Sequence, residues 1–318
     1  MRHQRIKPVE GQSGFMHVYN RAVGSTGDYP FNAVEKGELL RRFRDLNEYY
    51  VVEVLAVQAM GNHFHALLYV PAEPPDGQET AERYRRRYPK RRALHPDSRR
   101  CRRLALKLRD VSEFMRELQQ PYSRWYNRTR SRRRRGPLWA GRFKNTILEA
   151  GLAVWDCWKY IEMNPVRAGL AHTPADYRFC SFGQWCATGE HPYGEAVSQH
   201  ILPFLKGLLQ IESLEEVRLS LRKEFARMKA VDQHKGEEAT RAAIAVAAER
   251  EPFSTRLDRR VRYWVDGLVI GTEQFVHETM LGTRSAKALR KRRLTRAFSA
   301  TGDATPLCCF KQLRVLLE

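Results

Sequence analysis

Two strand-like runs, Val51–Met60 (VVEVLAVQAM) and His63–Val70 (HFHALLYV), are separated only by Gly61-Asn62. Both are rich in β-branched and other apolar residues, and the Gly-Asn dipeptide between them is a turn signal. Parallel strands need a crossover of about a dozen residues or more, so so short a link joins antiparallel neighbours. Upstream, Phe15–Ala22 (FMHVYNRA) reads as a further strand. A Gly/Pro/Asn-containing link follows, and then Glu35–Tyr49 carries apolar residues at 39, 40, 43 and 46, the spacing of one helical face. The first seventy residues therefore read β-α-β-β.

Beyond Pro71–Gly77 the chain turns strongly basic. The stretch Arg83–Arg109 (within an insertion at about 72–111) reads as partly helical or as a mobile arm. Val111–Arg128 has helical spacing at 111, 114, 115, 118, 122, 125 and 126. A basic loop, Arg130–Arg135, ends at Gly136-Pro137. Arg142–Glu149 alternates like a strand, and Leu152–Met163 reads as a helix that stops at Asn164-Pro165. This order predicts an α+β fold: an antiparallel sheet in a ferredoxin-like β-α-β-β-α-β order, with helices on one face. The domain would span 14–190. A polar link around Thr188–Pro203 would lead into a helical, basic accessory region at 191–318. Within it Ser213–Ala230 (with Ser213 and Glu216 in capping-box spacing), Glu237–Arg250 and two short helices in Arg256–Met280 precede a basic tail, Arg284–Arg296.

Charge narrows the partner. The 318 residues hold 56 Lys and Arg against 36 Asp and Glu, a formal net charge of +20. A clustered, Arg-dominated excess points to a polyanion, nucleic acid above all, although a charge run is also simply a solvated face. Tyr84, Tyr88, Trp125, Tyr126 and Trp139 are interleaved with the arginines, a pattern in which cations bind phosphates and rings stack on unpaired bases. No apolar run is long enough to cross a bilayer and the N-terminus lacks a secretory core, so a cytoplasmic, nucleoid-associated protein is expected. The six cysteines form no C-x-x-C pair and read as reduced thiols without chemistry.

Two short patterns carry chemistry. His63 and His65 flank Phe64 on a strand, so both imidazoles share one face and can reach one cation. The plainer reading is two polar residues at a strand end. Tyr160 and Asn164 lie four apart on a helix, a phenol and an amide on one face. Here the plainer reading is a core tyrosine and an Asn-Pro helix stop. Tyr122 and Tyr126 are rival phenols beside the basic loop.

Taken in order, the motifs H-V-Y-N-R (17–21), M-G-N-H-F-H-A-L-L (60–68), G-P-L-W-A-G-R-F-K (136–144), Y-I-E-M-N-P-V-R-A-G (160–169) and Y-R-F-C-S-F (177–182) resemble the single-tyrosine HUH transposases. Within that group the resemblance is to the REP-associated, insertion-sequence-200-like type, over about residues 14–185. It implies a metal-dependent endonuclease and strand transferase acting on single-stranded or hairpin DNA as a monomer or homodimer. Tyr160 would be the nucleophile, forming a 5′-phosphotyrosine, and His63, His65 and Asn164 would hold Mg²⁺ or Mn²⁺. Many relatives carry Gln where Asn164 stands, one methylene longer. Arg130, Arg132, Arg133, Arg134, Arg135, Arg142, Lys144 and Arg167 are the expected DNA contacts, and the accessory region at 191–318 would add DNA contacts through Arg284–Arg296, mediate self-association or cover the sheet. Two other classes remain open: a non-catalytic binding protein or repressor on the same fold, and an RNA-binding processing factor.

Overall fold

The computed structural model describes residues 8, 11–24, 28–130, 135–233, 264, 267–283, 295–296 and 308–311. The fold is mixed α+β, and the chain divides between Lys144 and Asn145 into two compact units. The domain boundary expected near 190 thus falls inside the second unit.

In the first unit, β1 (Gly14–Arg21), β2 (Glu53–Ala59) and β3 (His63–Val70) form an antiparallel sheet in the order β2-β3-β1. The turn closes as the sequence predicts, with Met60 N donating to His63 O at 2.8 Å. Helix α1 (Ala33–Tyr49) starts at a capping box. Asn32 Oδ1 accepts from Val34 N and Glu35 N, and Glu35 Oε2 accepts from Asn32 N at 2.9 Å, so donors with no partner inside the helix are satisfied. Phe43 of α1 meets Phe64 of β3 at 5.6 Å between ring centres, and Phe114 of α4 (Val111–Arg128) at 6.2 Å. Because strand residues alternate, Phe64, Ala66 and Leu68 point into this helical layer, and His63, His65 and Leu67 point to the other face.

The basic insertion is folded rather than an arm. Helices α2 (Gly77–Arg87) and α3 (Arg99–Leu108) start at Asp76 and Ser98, whose side chains cap them. They enclose a small core of Tyr84, Leu94 and Cys101, with Ala81, Tyr88 and Leu104 against it. Arg83 and Arg109 bind it to the rest of the unit through the carbonyls of Glu48, Tyr50 and Pro71.

The second unit opens with β4 (Lys144–Leu148) and α5 (Leu152–Arg167). Gly151, at φ 100°, sits at the head of α5 in a backbone conformation that side chains resist. α5 is buried nearly all round, its charged Asp156, Lys159 and Glu162 included. It does not stop at Asn164-Pro165 but runs one turn further. Proline lacks the N–H that would bond Ile161 O, and Asn164 Nδ2 takes its place, donating to that carbonyl at 3.3 Å. A 3₁₀ turn at Pro174–Asp176 leads to α6 (Ser181–Thr188), α7 (Gly194–His200), α8 (Leu202–Leu209) and α9 (Leu214–Gln233). Two of these helices therefore occupy the segment that reads as a polar link. Ser213 caps α9 as its spacing predicts, but the carboxylate of Glu216 accepts from Glu212 N. Strand β5 (Gly267–Gly271) pairs parallel with β4 and antiparallel with β7 (Cys308–Lys311), which pairs with β6 (Thr295–Arg296). Helix α10 (Glu273–Thr283) follows β5, so a strand stands between the helical pieces expected over Arg256–Met280. Glu237–Arg250 and most of Arg284–Arg296 lie outside the described residues. Among the described residues no helix is long and apolar enough to cross a membrane.

Candidate functional site

The site residues that the sequence singles out fall on two elements, β3 of the first unit and α5 of the second. On β3, His63 and His65 share the sheet face opposite the helices. The strand register surrounds them with polar side chains. Arg21 is the cross-strand partner of His63, and Tyr19 and Gln58 flank His65 on its two sides. His17, two residues before Tyr19 and so on the same face, completes the group.

Each histidine is oriented by a neighbour. Asn62 Nδ2 donates to Asp28 O at 3.0 Å, which fixes its amide, and Asn62 Oδ1 accepts from His63 Nδ1 at 2.7 Å. The neutral His63 ring then carries its lone pair on Nε2. His17 Nε2 and His65 Nδ1 lie 2.8 Å apart, one donating to the other, and their rings stack at 5.0 Å. Such partners commonly set the tautomer and aim of metal-binding histidines. Burial keeps both rings neutral. It depresses His63 to about 4, assisted by the Arg21 cation, and holds His65 well below the ordinary imidazole value, assisted by His17 and His63. A neutral imidazole is the form that binds a metal.

Sequence reasoning passed over His17 and Gln58. The signal for His17 was its alternation with Tyr19 inside the H-V-Y-N-R strand. Gln58 gives no signal until the register is known. It is fully buried, and neither atom of its amide has a hydrogen-bond partner. A buried amide left in that state costs about 1–3 kcal/mol. Among the described residues no group of three or more His, Cys, Asp or Glu is arranged to hold a metal ion. A cation here would draw on two imidazoles and amide oxygen, a mixed donor set that admits Mn²⁺.

On α5, Tyr160 is buried, its ring stacked on Trp264 at 5.6 Å, with the Arg167 guanidinium 5.8 Å from the ring centre. Burial pushes the phenol far above its ordinary value. Arg167 and a hydrogen bond from Asn164 oppose that rise, and Cys157 adds to it. The same helix buries a charged pair, Asp156 Oδ1 to Lys159 Nζ at 2.8 Å, with Glu224 of α9 at 3.1 Å from Lys159. It also buries Glu162, which accepts from Trp158 Nε1 and Phe182 N and is raised by burial to about 7.

The rival phenols are structural. Tyr122 and Tyr126 donate to the carbonyls of Glu35 and Pro30 and pack with Phe31, and Tyr122 also packs with Trp139. Trp139 meets Phe64 at 5.4 Å, and Tyr84 belongs to the core of the insertion. Of the aromatics interleaved with arginine, Tyr84, Tyr126 and Trp139 thus pack within the fold. Arg130 is also engaged: it lies 4.3 Å over the ring of Tyr126 and pairs with the buried carboxylate of Glu35. Arg135, Arg142 and Lys144 are exposed, with Lys144 Nζ 5.5 Å from the ring centre of Tyr19, and Arg167 is half-buried. Arg132, Arg133 and Arg134 lie outside the described residues.

No family model matches the chain. No curated protein matches it. Among solved structures it is similar to a REP-associated tyrosine transposase bound to a REP hairpin, with a TM-score of 0.40 and 15% identity over 59% of this chain and 87% of that one.

Proposed function

We propose that this protein is a metal-dependent, single-tyrosine endonuclease and strand transferase acting on single-stranded, hairpin-forming DNA. The observation that carries the reading is the histidine face of β3. There two neutral imidazoles on one side of a strand are each fixed by a hydrogen bond to the ring nitrogen. The motif resemblance supplies the reaction class. In this reading His63 and His65 hold a divalent ion, with Asn164 as the amide ligand that the resemblance implies. The ion would neutralise a non-bridging phosphate oxygen and orient the scissile phosphate.

Tyr160 Oη attacks phosphorus and loses its proton. The bond from phosphorus to the 3′ oxygen breaks, and that oxygen leaves as a 3′-hydroxyl. The 5′ phosphate stays on the tyrosine. Because the phosphotyrosine conserves the bond energy, a second 3′-hydroxyl can displace it and rejoin a strand without external energy. Arg167, beside the phenol, favours the phenolate during attack. Arg135, Arg142 and Lys144 contact the backbone of the strand, and the exposed Arg99 and Arg103 of α3 extend that surface. Affinity should then fall with salt, with a log–log slope of about −0.7 for each phosphate neutralised on a single strand.

The test is incubation of the protein with end-labelled hairpin DNA bearing single-stranded flanks, plus Mn²⁺, resolved on a denaturing gel. A covalent adduct that maps to Tyr160 is the expected result. Tight hairpin binding with no adduct in either Mg²⁺ or Mn²⁺, across several palindromes, would leave the binding-protein reading in its place.

A further inference from the structure

We infer that Gln58, on β2, supplies an amide ligand to the cation site of the histidine face, its Oε1 toward the ion and its Nε2 toward a phosphate oxygen. This rests on the metal-dependent reading given above.

The register pairs Gln58 directly with His65 across the antiparallel β2–β3 ladder. Directly opposed residues in such a ladder point to the same face, with Cβ atoms about 5 Å apart. One more step along β3 on that face brings His63. Gln58 is completely buried, and its carbonyl oxygen and its amide nitrogen both lack any hydrogen-bond partner. A buried polar side chain nearly always finds partners within the fold, so one with neither satisfied marks a place where a ligand completes the bonding. The ligand must offer both an acceptor for an N–H and an electrophilic partner for a carbonyl. A divalent ion carrying a phosphate does both. The neighbouring donors point the same way. Two neutral imidazoles provide nitrogen, and a hard cation such as Mg²⁺ or Mn²⁺ also requires oxygen. No acidic side chain joins the histidines to supply that oxygen, since among the described residues no group of three or more His, Cys, Asp or Glu could hold a metal ion. Asn164 is already committed in part, because its Nδ2 bonds the carbonyl left open by Pro165. An amide carried by the sheet itself stands in the same row as the histidines and needs no other element to place it.

The experiment measures Mn²⁺ binding to the full-length protein by the electron paramagnetic resonance signal of free Mn²⁺, and separately the melting temperature in chelator. Gln58→Met, close in volume and apolar, should weaken Mn²⁺ binding tenfold or more. It should leave the metal-free melting temperature unchanged or raised, because it removes an unpartnered buried amide. Gln58→Glu should bind Mn²⁺ at least as tightly as the wild type, since a carboxylate oxygen replaces the amide oxygen. Unchanged affinity in Gln58→Met, with wild-type binding intact, overturns the assignment of Gln58 alone. A metal-free melting temperature that drops sharply in Gln58→Met also overturns it, because the amide would then be serving the fold. A wild-type protein that binds no Mn²⁺ overturns both this assignment and the metal-dependent reading.

Discussion

Burial acts in opposite directions on the histidine face of β3 and on the tyrosine helix α5. Removal from water favours whichever form of a group is uncharged. For His63 and His65 that form is the metal-binding imidazole, so burial prepares them, and their hydrogen-bond partners already set how each ring is turned. For Tyr160 the uncharged form is the phenol, which is the poor nucleophile, so burial holds it back. One half of the proposed site is thus poised at rest. The other depends on something that arrives with the substrate or moves during the reaction. Arg167 and Asn164 are the groups near the phenol that oppose the effect of burial.

The largest effect that can break this contrast is on covalent chemistry. Tyr160→Phe should abolish adduct formation entirely while hairpin binding and Mn²⁺ affinity stay within about twofold of the wild type. The substitution removes only a hydroxyl and keeps the stack on Trp264. Tyr122→Phe and Tyr126→Phe should still react, since their hydroxyls serve backbone carbonyls. An adduct persisting in Tyr160→Phe, located by mass spectrometry on another residue, would return α5 to a purely structural role.

Next in size is the histidine face. His63→Ala should reduce adduct yield at least a hundredfold, and hairpin binding measured in chelator should be unaffected. His63 is chosen over His65 because His65 is deeply buried against His17, so its loss mixes chemistry with packing. Full activity of His63→Ala, or of the wild type in excess chelator, would remove the metal from the mechanism.

Particular elements show what the one-dimensional pattern carries and where it fails. The hairpin of β2 and β3, helix α1 and helix α4 were legible because each has a strong period and a clear boundary. His63–Val70 and Val111–Arg128 coincide with β3 and α4. The basic insertion was not legible because its core consists of a few residues, Tyr84, Leu94 and Cys101, scattered among arginines. Interleaving in sequence does not say which face a ring takes, and Tyr84, Tyr126 and Trp139 pack within the fold. Helix α5 overran its expected stop because the rule about proline assumes that the orphaned carbonyl stays orphaned, and Asn164 supplies the missing donor. Of the site, the residues that carry the motif could be named from sequence, and the ones that orient or extend it could not. His17, Asn62 and Gln58 gain meaning only from strand register.

The contrast sharpens further through pH. Glu162 of α5 has its carboxyl raised by burial from an ordinary 4.5 to about 7. The folded state therefore prefers the protonated acid. The stabilisation this gives is complete below pH 4.5 and is lost as pH rises through about 7. The magnitude is about 3 kcal/mol over that window. His63 behaves oppositely: its depressed value means that stability present above about 6.5 is lost as pH falls toward 4. In metal-free protein, Glu162→Gln should start less stable than the wild type at pH 5, because an amide N–H then faces the Phe182 donor. Its deficit should shrink steadily as pH rises to 8. Parallel melting curves at all pH values would mean that Glu162 does not titrate within this window.

The smallest expected effect bears on Asn164, whose two assigned roles can be separated. As a structural residue it donates to Ile161 O, the carbonyl that Pro165 cannot serve. Asn164→Ala should therefore cost about 1 kcal/mol, the net worth of an ordinary hydrogen bond. In a Pro165→Ala background the restored backbone N–H can bond Ile161 O directly, and the same Asn164→Ala change should then cost less by about that amount, leaving only the loss of its bond to Tyr160. The coupling between the two positions, about 1 kcal/mol from urea melts of the four proteins, isolates the structural role. As a metal ligand, by contrast, Asn164 should matter equally in both backgrounds, because the proline has no part in holding an ion. Mn²⁺ affinity measured on the same four proteins should fall with Asn164→Ala whether residue 165 is proline or alanine. Stability coupling with no change in Mn²⁺ affinity would make Asn164 a helix device alone. The oxygen of the site would then be left to the sheet, and the tyrosine helix would provide the phenol without any ligand to the ion.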